Sequence, residues 1–126
     1  MVFGKDALPV LVVEDDAHLR RSIVLILTAE GYRVQEAADG EEGLSRCLDG
    51  GWACILTDTM MPRLGGLDML RKLMEMGGSV PPVILVSAAF TTPSADEMKA
   101  LGIRDVVPKP FAFERLLAAI RSVTAG

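Results

Sequence analysis

The stretch Ala53-Cys54-Ile55-Leu56-Thr57-Asp58 sets a carboxylate at the end of an unbroken, mostly apolar run. A strand with one wet face alternates apolar and polar residues; residues 53–57 do not, as expected of a strand covered on both faces. Val10–Val13 and Val83–Ser87 share this character. Two other runs are weaker. In Tyr32–Ala37, Tyr32, Val34 and Glu36 alternate with Arg33 and Gln35, and Asp105–Val107 is brief. These two are expected at the sheet edges.

Between the runs, apolar residues recur at helical spacings of three and four: Leu19/Ile23/Ile26/Leu27, Leu44/Cys47/Leu48, Leu67/Leu70/Leu73/Met74, Met98/Leu101 and Leu116/Leu117/Ile120. Asp39 followed by Glu42 forms a capping-box signal. Gly31, Gly50-Gly51, Gly77-Gly78 and Gly102 punctuate helix ends. The fourth helix has the weakest pattern and follows Thr91-Thr92-Pro93-Ser94. The alternation is (βα)5, an α/β arrangement with a parallel sheet and helices on both faces. Residues 1–126 are expected to form one domain.

Half of the residues are hydrophobic, yet no apolar run approaches the ~20 residues that span a bilayer. The opening MVFGKDALP lacks the basic head and long apolar stretch of a signal peptide, so a cytoplasmic protein without membrane insertion is expected. A net charge of −4 argues against direct nucleic-acid binding, because few cations are available to neutralise phosphates. Cys47, Cys54 and the single histidine, His18, have no zinc-ligand spacing; the cysteines read as buried thiols.

Parallel α/β sheets bind ligands beyond the carboxyl ends of their strands. There the sequence sets Glu14-Asp15-Asp16 after the first strand, Asp58 after the third, Ser87 at the end of the fourth and Lys109 after the fifth. Carboxylates gathered at one edge repel unless a cation sits among them, and a few oxygen ligands with room for water suit Mg²⁺. A lysine and a hydroxyl facing the same point add a phosphoryl group as the cation's other partner. Each residue alone has a plainer explanation. Asp16 fits a helix cap ahead of Ala17, and an isolated lysine is a solvated surface residue about nine times in ten. Joint occurrence at successive strand ends is what carries weight.

The segments LVVEDD (11–16), ILTDTMMP (55–62) with Gly65-Gly66, VILVSA (83–88) and VPKPF (107–111) resemble the receiver domains of bacterial two-component response regulators over essentially the whole chain. The resemblance implies a doubly wound, five-stranded parallel sheet in the order 2-1-3-4-5. It implies Asp58 as phosphoacceptor, and Glu14, Asp15, Asp58 and the Met60 carbonyl around Mg²⁺, with Asp15 the more direct ligand of the acidic pair. Ser87 and the Ala88 N–H would bind phosphoryl oxygens, Lys109 would pair with the phosphoryl group, and Lys109-Pro110 would be a cis peptide. The donor would be a phosphohistidine on a sensor histidine kinase or a histidine phosphotransfer protein, and the output an unspecified partner or domain.

One position departs from the family. Val106 stands where the fifth strand usually carries an aromatic ring that moves with the Ser/Thr hydroxyl. On the first helix, Val24 and Leu25 are expected to point outward as a docking patch for the phosphodonor. Trp52 opens strand three and is assigned no site role. Two other classes compete. A Mg²⁺-dependent phosphatase or phosphotransferase would want a second Asp two residues after Asp58, where this chain has Met60. A purely structural interaction domain would not need Glu14, Asp15, Asp58, Ser87 and Lys109 together.

Overall fold

Every residue of Val10–Val13, Cys54–Asp58 and Val83–Ser87 is buried. A computed structural model describes residues 8–88 and 93–124 of the chain. The three buried segments are strands β1, β3 and β4 of a parallel sheet that also contains β2 (Val34–Ala37) and β5 (Ile103–Pro108). The order is β2-β1-β3-β4-β5, with the two weaker strands at the edges. Successive residues of each central strand enter opposite faces, as the two-residue period requires. Val10, Val12, Cys54, Leu56, Ile84 and Val86 pack with Ile23 and Leu27 of α1 (Ala17–Ala29) and Leu116 and Ile120 of α5 (Phe113–Thr124). Leu11, Val13, Ile55, Val83 and Leu85 pack on the other face. Their partners there include Cys47 of α2 (Gly40–Asp49) and Met69, Leu70 and Leu73 of α3 (Gly66–Glu75). Burying each such large side chain contributes about 1.5–3 kcal/mol before the entropy of ordering is set against it.

The caps form as the sequence indicates. Asp16 Oδ1 accepts from the His18 and Leu19 N–H groups at 3.0 and 3.1 Å. Asp39 accepts from the Glu42 N–H at 2.8 Å, while Glu42 reaches back to the Ala38 N–H at 2.7 Å, one residue before the cap. Ser94 caps α4 (Ala95–Ala100) through the Glu97 N–H at 3.1 Å. Helix α4 has six residues and none is buried, in keeping with its faint apolar pattern. Thr91 and Thr92, part of the approach to it, lie outside the described residues.

Two strand boundaries differ from the sequence expectation. Strand β2 starts at Val34, not Tyr32, because the Tyr32 N–H closes the end of α1 on the Leu27 carbonyl at 3.1 Å. The Tyr32 ring is buried and its hydroxyl pairs with the Thr124 hydroxyl at 2.9 Å. Strand β5 is longer than Asp105–Val107. Val83 pairs with Ile103 but Ile84 with Asp105, so Arg104 is an extra residue in the ladder. Such a bulge breaks the alternation that would have advertised the full strand. Cys47 and Cys54 are buried thiols, and burial pushes both up to about 12. Among the described residues, no helix is long and apolar enough to cross a membrane.

Candidate functional site

Strand register brings the chemistry together. Val13 is level with Thr57, so the next residues, Glu14 just past β1 and Asp58 closing β3, stand side by side at the carboxyl edge. Ser87 is level with Pro108, which sets Lys109 one step beyond it; the Lys109 N–H donates to the Ser87 carbonyl at 2.8 Å. The Lys109-Pro110 peptide is cis. Behind Asp58, the first turn of α3 passes so closely that a Cβ on Gly66 would lie 2.1 Å from the Asp58 carbonyl oxygen. Only glycine fits there without displacing the strand end.

Glu14 and Asp58 are 3 % and 6 % exposed, unusually buried for acidic residues. The Lys109 ammonium compensates them: it donates to Asp58 Oδ2 and, at 3.3 Å, to Glu14 Oε1. Asp58 Oδ1 accepts the Met60 N–H at 3.1 Å, and Glu14 Oε2 accepts the Asp16 N–H at 3.0 Å. Burial pushes the Glu14 carboxyl up to about 7; the Asp58 carboxylate adds to the rise, while the Asp16 N–H and Lys109 oppose it. Burial disfavours the Lys109 ammonium, but its hydrogen bond and charge contact with Asp58, joined by Glu14, leave its pKa raised overall. Ser87 is buried, and its hydroxyl donates to the Ala88 carbonyl at 2.9 Å.

Glu14, Asp15 and Asp58 each offer a carboxylate oxygen, all within 4.8 Å of one another. Three carboxylates around one ammonium leave two negative charges uncompensated when all are ionised. That donor set, all hard oxygen and open to water on the exposed Asp15 side, fits a divalent cation such as Mg²⁺.

The other expected positions divide. Asp16 is the exposed N-cap of α1 and lies outside the carboxylate cluster. Met60 is 64 % exposed beside the site. Val106 is half-buried and packs with the apolar cluster on the α2–α3 face. On α1, Leu25 is 63 % exposed as expected, but Val24 is half-buried, so the outward pair reduces to Leu25. The turn of α1 carries Val24 partly around toward the packed side. His18 is exposed, and Trp52 is buried with its indole N–H donating to the Arg46 carbonyl at 2.9 Å. Sequence reasoning passed over Arg20, whose guanidinium donates to the Glu14 carbonyl at 2.7 Å. No local spacing marks a side chain that reaches backward from a helix to the preceding strand end.

A doubly wound parallel sheet with this acidic group and lysine at its carboxyl edge defines a class of signalling domain. The response regulator receiver domain model matches residues 10–121, and the chain belongs to that family, the receivers of two-component systems. It is 41 % identical over 113 residues to the transcriptional regulatory protein YkoG of Bacillus subtilis (strain 168), covering 90 % of this chain and 49 % of that protein. It is 36 % identical over 116 residues to the response regulator ArlR of Staphylococcus aureus, covering 90 % and 51 %. The chain therefore spans about half the length of these curated relatives. Among solved structures, the Francisella response regulator 1452 receiver domain superposes with a TM-score of 0.82 at 29 % identity, covering 94 % of this chain and 97 % of that one.

Proposed function

We propose that residues 1–126 act as a single phosphoacceptor switch in which Asp58 receives a phosphoryl group from a phosphohistidine on a sensor histidine kinase or a phosphotransfer protein. The observation that carries this reading is the buried Asp58 carboxylate. It is held by the Met60 N–H and Lys109 at the strand edge where Glu14 and Asp15 gather. In the transfer, an Asp58 oxygen bonds to phosphorus while the donor's P–N bond breaks and its electron pair stays on the imidazole nitrogen. Mg²⁺, held by Glu14, Asp15, Asp58 and the Met60 carbonyl, supplies neutralising charge for the phosphoryl oxygens when bound. Lys109 shifts part of its bonding from Asp58 to the phosphoryl group, and the Ser87 hydroxyl and Ala88 N–H take its remaining oxygens.

The domain acts on itself and on no outside substrate, catalysing its own phosphorylation and slow hydrolysis. It works in the cytoplasm, with Leu25 contributing to the donor's docking surface. Output passes through the face formed by α4, β5 and α5 to a partner or to a further domain, as the greater length of YkoG and ArlR supports. Because Val106 is short and stiff at χ1, the change passes from Ser87 to α4. The test is phosphorylation by a small acyl phosphate followed by intact mass. One phosphoryl group should add with Mg²⁺ and none after chelation; equal labelling in both conditions would sink the proposal.

A further inference from the structure

Glu14 has every polar atom engaged. Its N–H donates to the Ala37 carbonyl at 3.1 Å, its carboxylate meets the Asp16 N–H and Lys109, and its carbonyl accepts from Arg20 Nη1 at 2.7 Å. Arg20 sits in the second turn of α1 with its side chain only 16 % exposed, and its Nε donates to Glu36 Oε1 on β2 at 2.9 Å. One guanidinium thus ties the end of β1 to both α1 and β2. The carbonyl it holds belongs to the Glu14–Asp15 peptide, the link that sets where the exposed Asp15 carboxylate stands relative to the buried pair.

We propose that Arg20 is a positioning residue for the divalent cation: it fixes the Glu14–Asp15 peptide from behind so that three carboxylates converge on one point. This rests on the reading that Glu14, Asp15 and Asp58 hold Mg²⁺. Two effects of Arg20 oppose each other. Its positive charge, taken alone, repels a cation, so its removal would tighten binding. Its hydrogen bond holds ligand geometry, so its removal would loosen binding. The Glu36 carboxylate already neutralises the guanidinium, and geometry therefore dominates. Groups that anchor a metal's ligands are commonly worth about tenfold or more in affinity.

The experiment is calorimetric Mg²⁺ titration of the unphosphorylated protein and the variants Arg20→Ala, Arg20→Lys and Glu36→Gln, each first shown by urea unfolding to be folded. Arg20→Ala should weaken Mg²⁺ binding about tenfold. Arg20→Lys keeps the charge but replaces the rigid fork, whose Nε and Nη1 meet the two partners separately, by one nitrogen on a flexible stem, so it should also bind more weakly than the parent. Glu36→Gln leaves the bond to the Glu14 carbonyl in place and should lose less than Arg20→Ala. A general loss of packing would lower the unfolding midpoint without this ranking of Mg²⁺ affinities. If Arg20→Ala proves too unstable to titrate, parent-like Mg²⁺ affinity in Arg20→Lys overturns the proposal. Equal or tighter binding by Arg20→Ala overturns it directly, while a parent that binds no Mg²⁺ overturns the metal reading itself.

Discussion

Replacing Lys109 by Met keeps an unbranched apolar stem and removes the ammonium that separates Glu14 from Asp58. Two unit charges 4.8 Å apart repel by about 3 kcal/mol at an effective dielectric of 20. Water reaches this edge through the exposed Asp15 side, and the Lys109 side chain is itself 29 % exposed, so screening removes part of that. A loss of ~1 to 3 kcal/mol at pH 8 follows, below the full cost of breaking a wholly buried pair. The pH dependence has a fixed sign. The folded-state pKa of Glu14, about 7, lies above its ordinary 4.5, so ionising it opposes folding, and the penalty grows as pH rises through that window. Lys109→Met should therefore lose less stability at about pH 5.5 than at pH 8. Mg²⁺ should restore it more than it stabilises the parent, since a ligand of the folded state adds stability by mass action. Urea unfolding in chelator and in Mg²⁺, at both pH values, measures all of this. Parent-like stability of Lys109→Met at pH 8 in chelator would refute the reasoning, because the carboxylates would then not need the ammonium.

Three further expectations concern separate parts of the molecule. Asp15→Ala should weaken Mg²⁺ binding far more than Asp16→Ala, whose main loss is a helix cap worth about 1 kcal/mol in unfolding; titration and denaturation together separate the two. Helix α4 buries no residue of its own, and Arg71 of α3 grips Glu97 at 2.8 and 2.9 Å. Arg71→Ala should raise amide exchange in residues 95–101, with a double-mutant coupling to Glu97→Ala of about 0.5 kcal/mol; zero coupling would assign the contact no role in holding α4. Leu25→Asp should slow transfer from a cognate phosphohistidine protein and leave labelling by a small acyl phosphate unchanged, and equal loss of both would remove the docking surface.

The parts of this molecule that the sequence exposes are those governed by short-range pattern. Central strands are legible because burial on both faces demands unbroken apolar runs, and Asp16, Asp39 and Glu42 are legible because caps act over three or four residues. Since parallel strands end at one edge, the sequence alone groups Glu14, Asp15, Asp58, Ser87 and Lys109. What escaped depends on contacts between distant segments. Tyr32 looks like strand but serves the end of α1, Arg104 hides the start of β5 in a bulge, and Val24 turns partly inward by helix geometry. Arg20 escaped because its role arises only when α1 folds back along β1 and β2.

Trapping the phosphorylated residue chemically tests the central claim most directly. After incubation with Mg²⁺ and a small acyl phosphate, borohydride reduces an aspartyl phosphate to homoserine, which peptide mass spectrometry locates. The account predicts homoserine at position 58 and at no other carboxylate, with none in Asp58→Asn. Homoserine at position 15 or 16, the corresponding hydroxynorvaline at Glu14, or an unmodified Asp58 in protein that has gained a phosphoryl group, would contradict it.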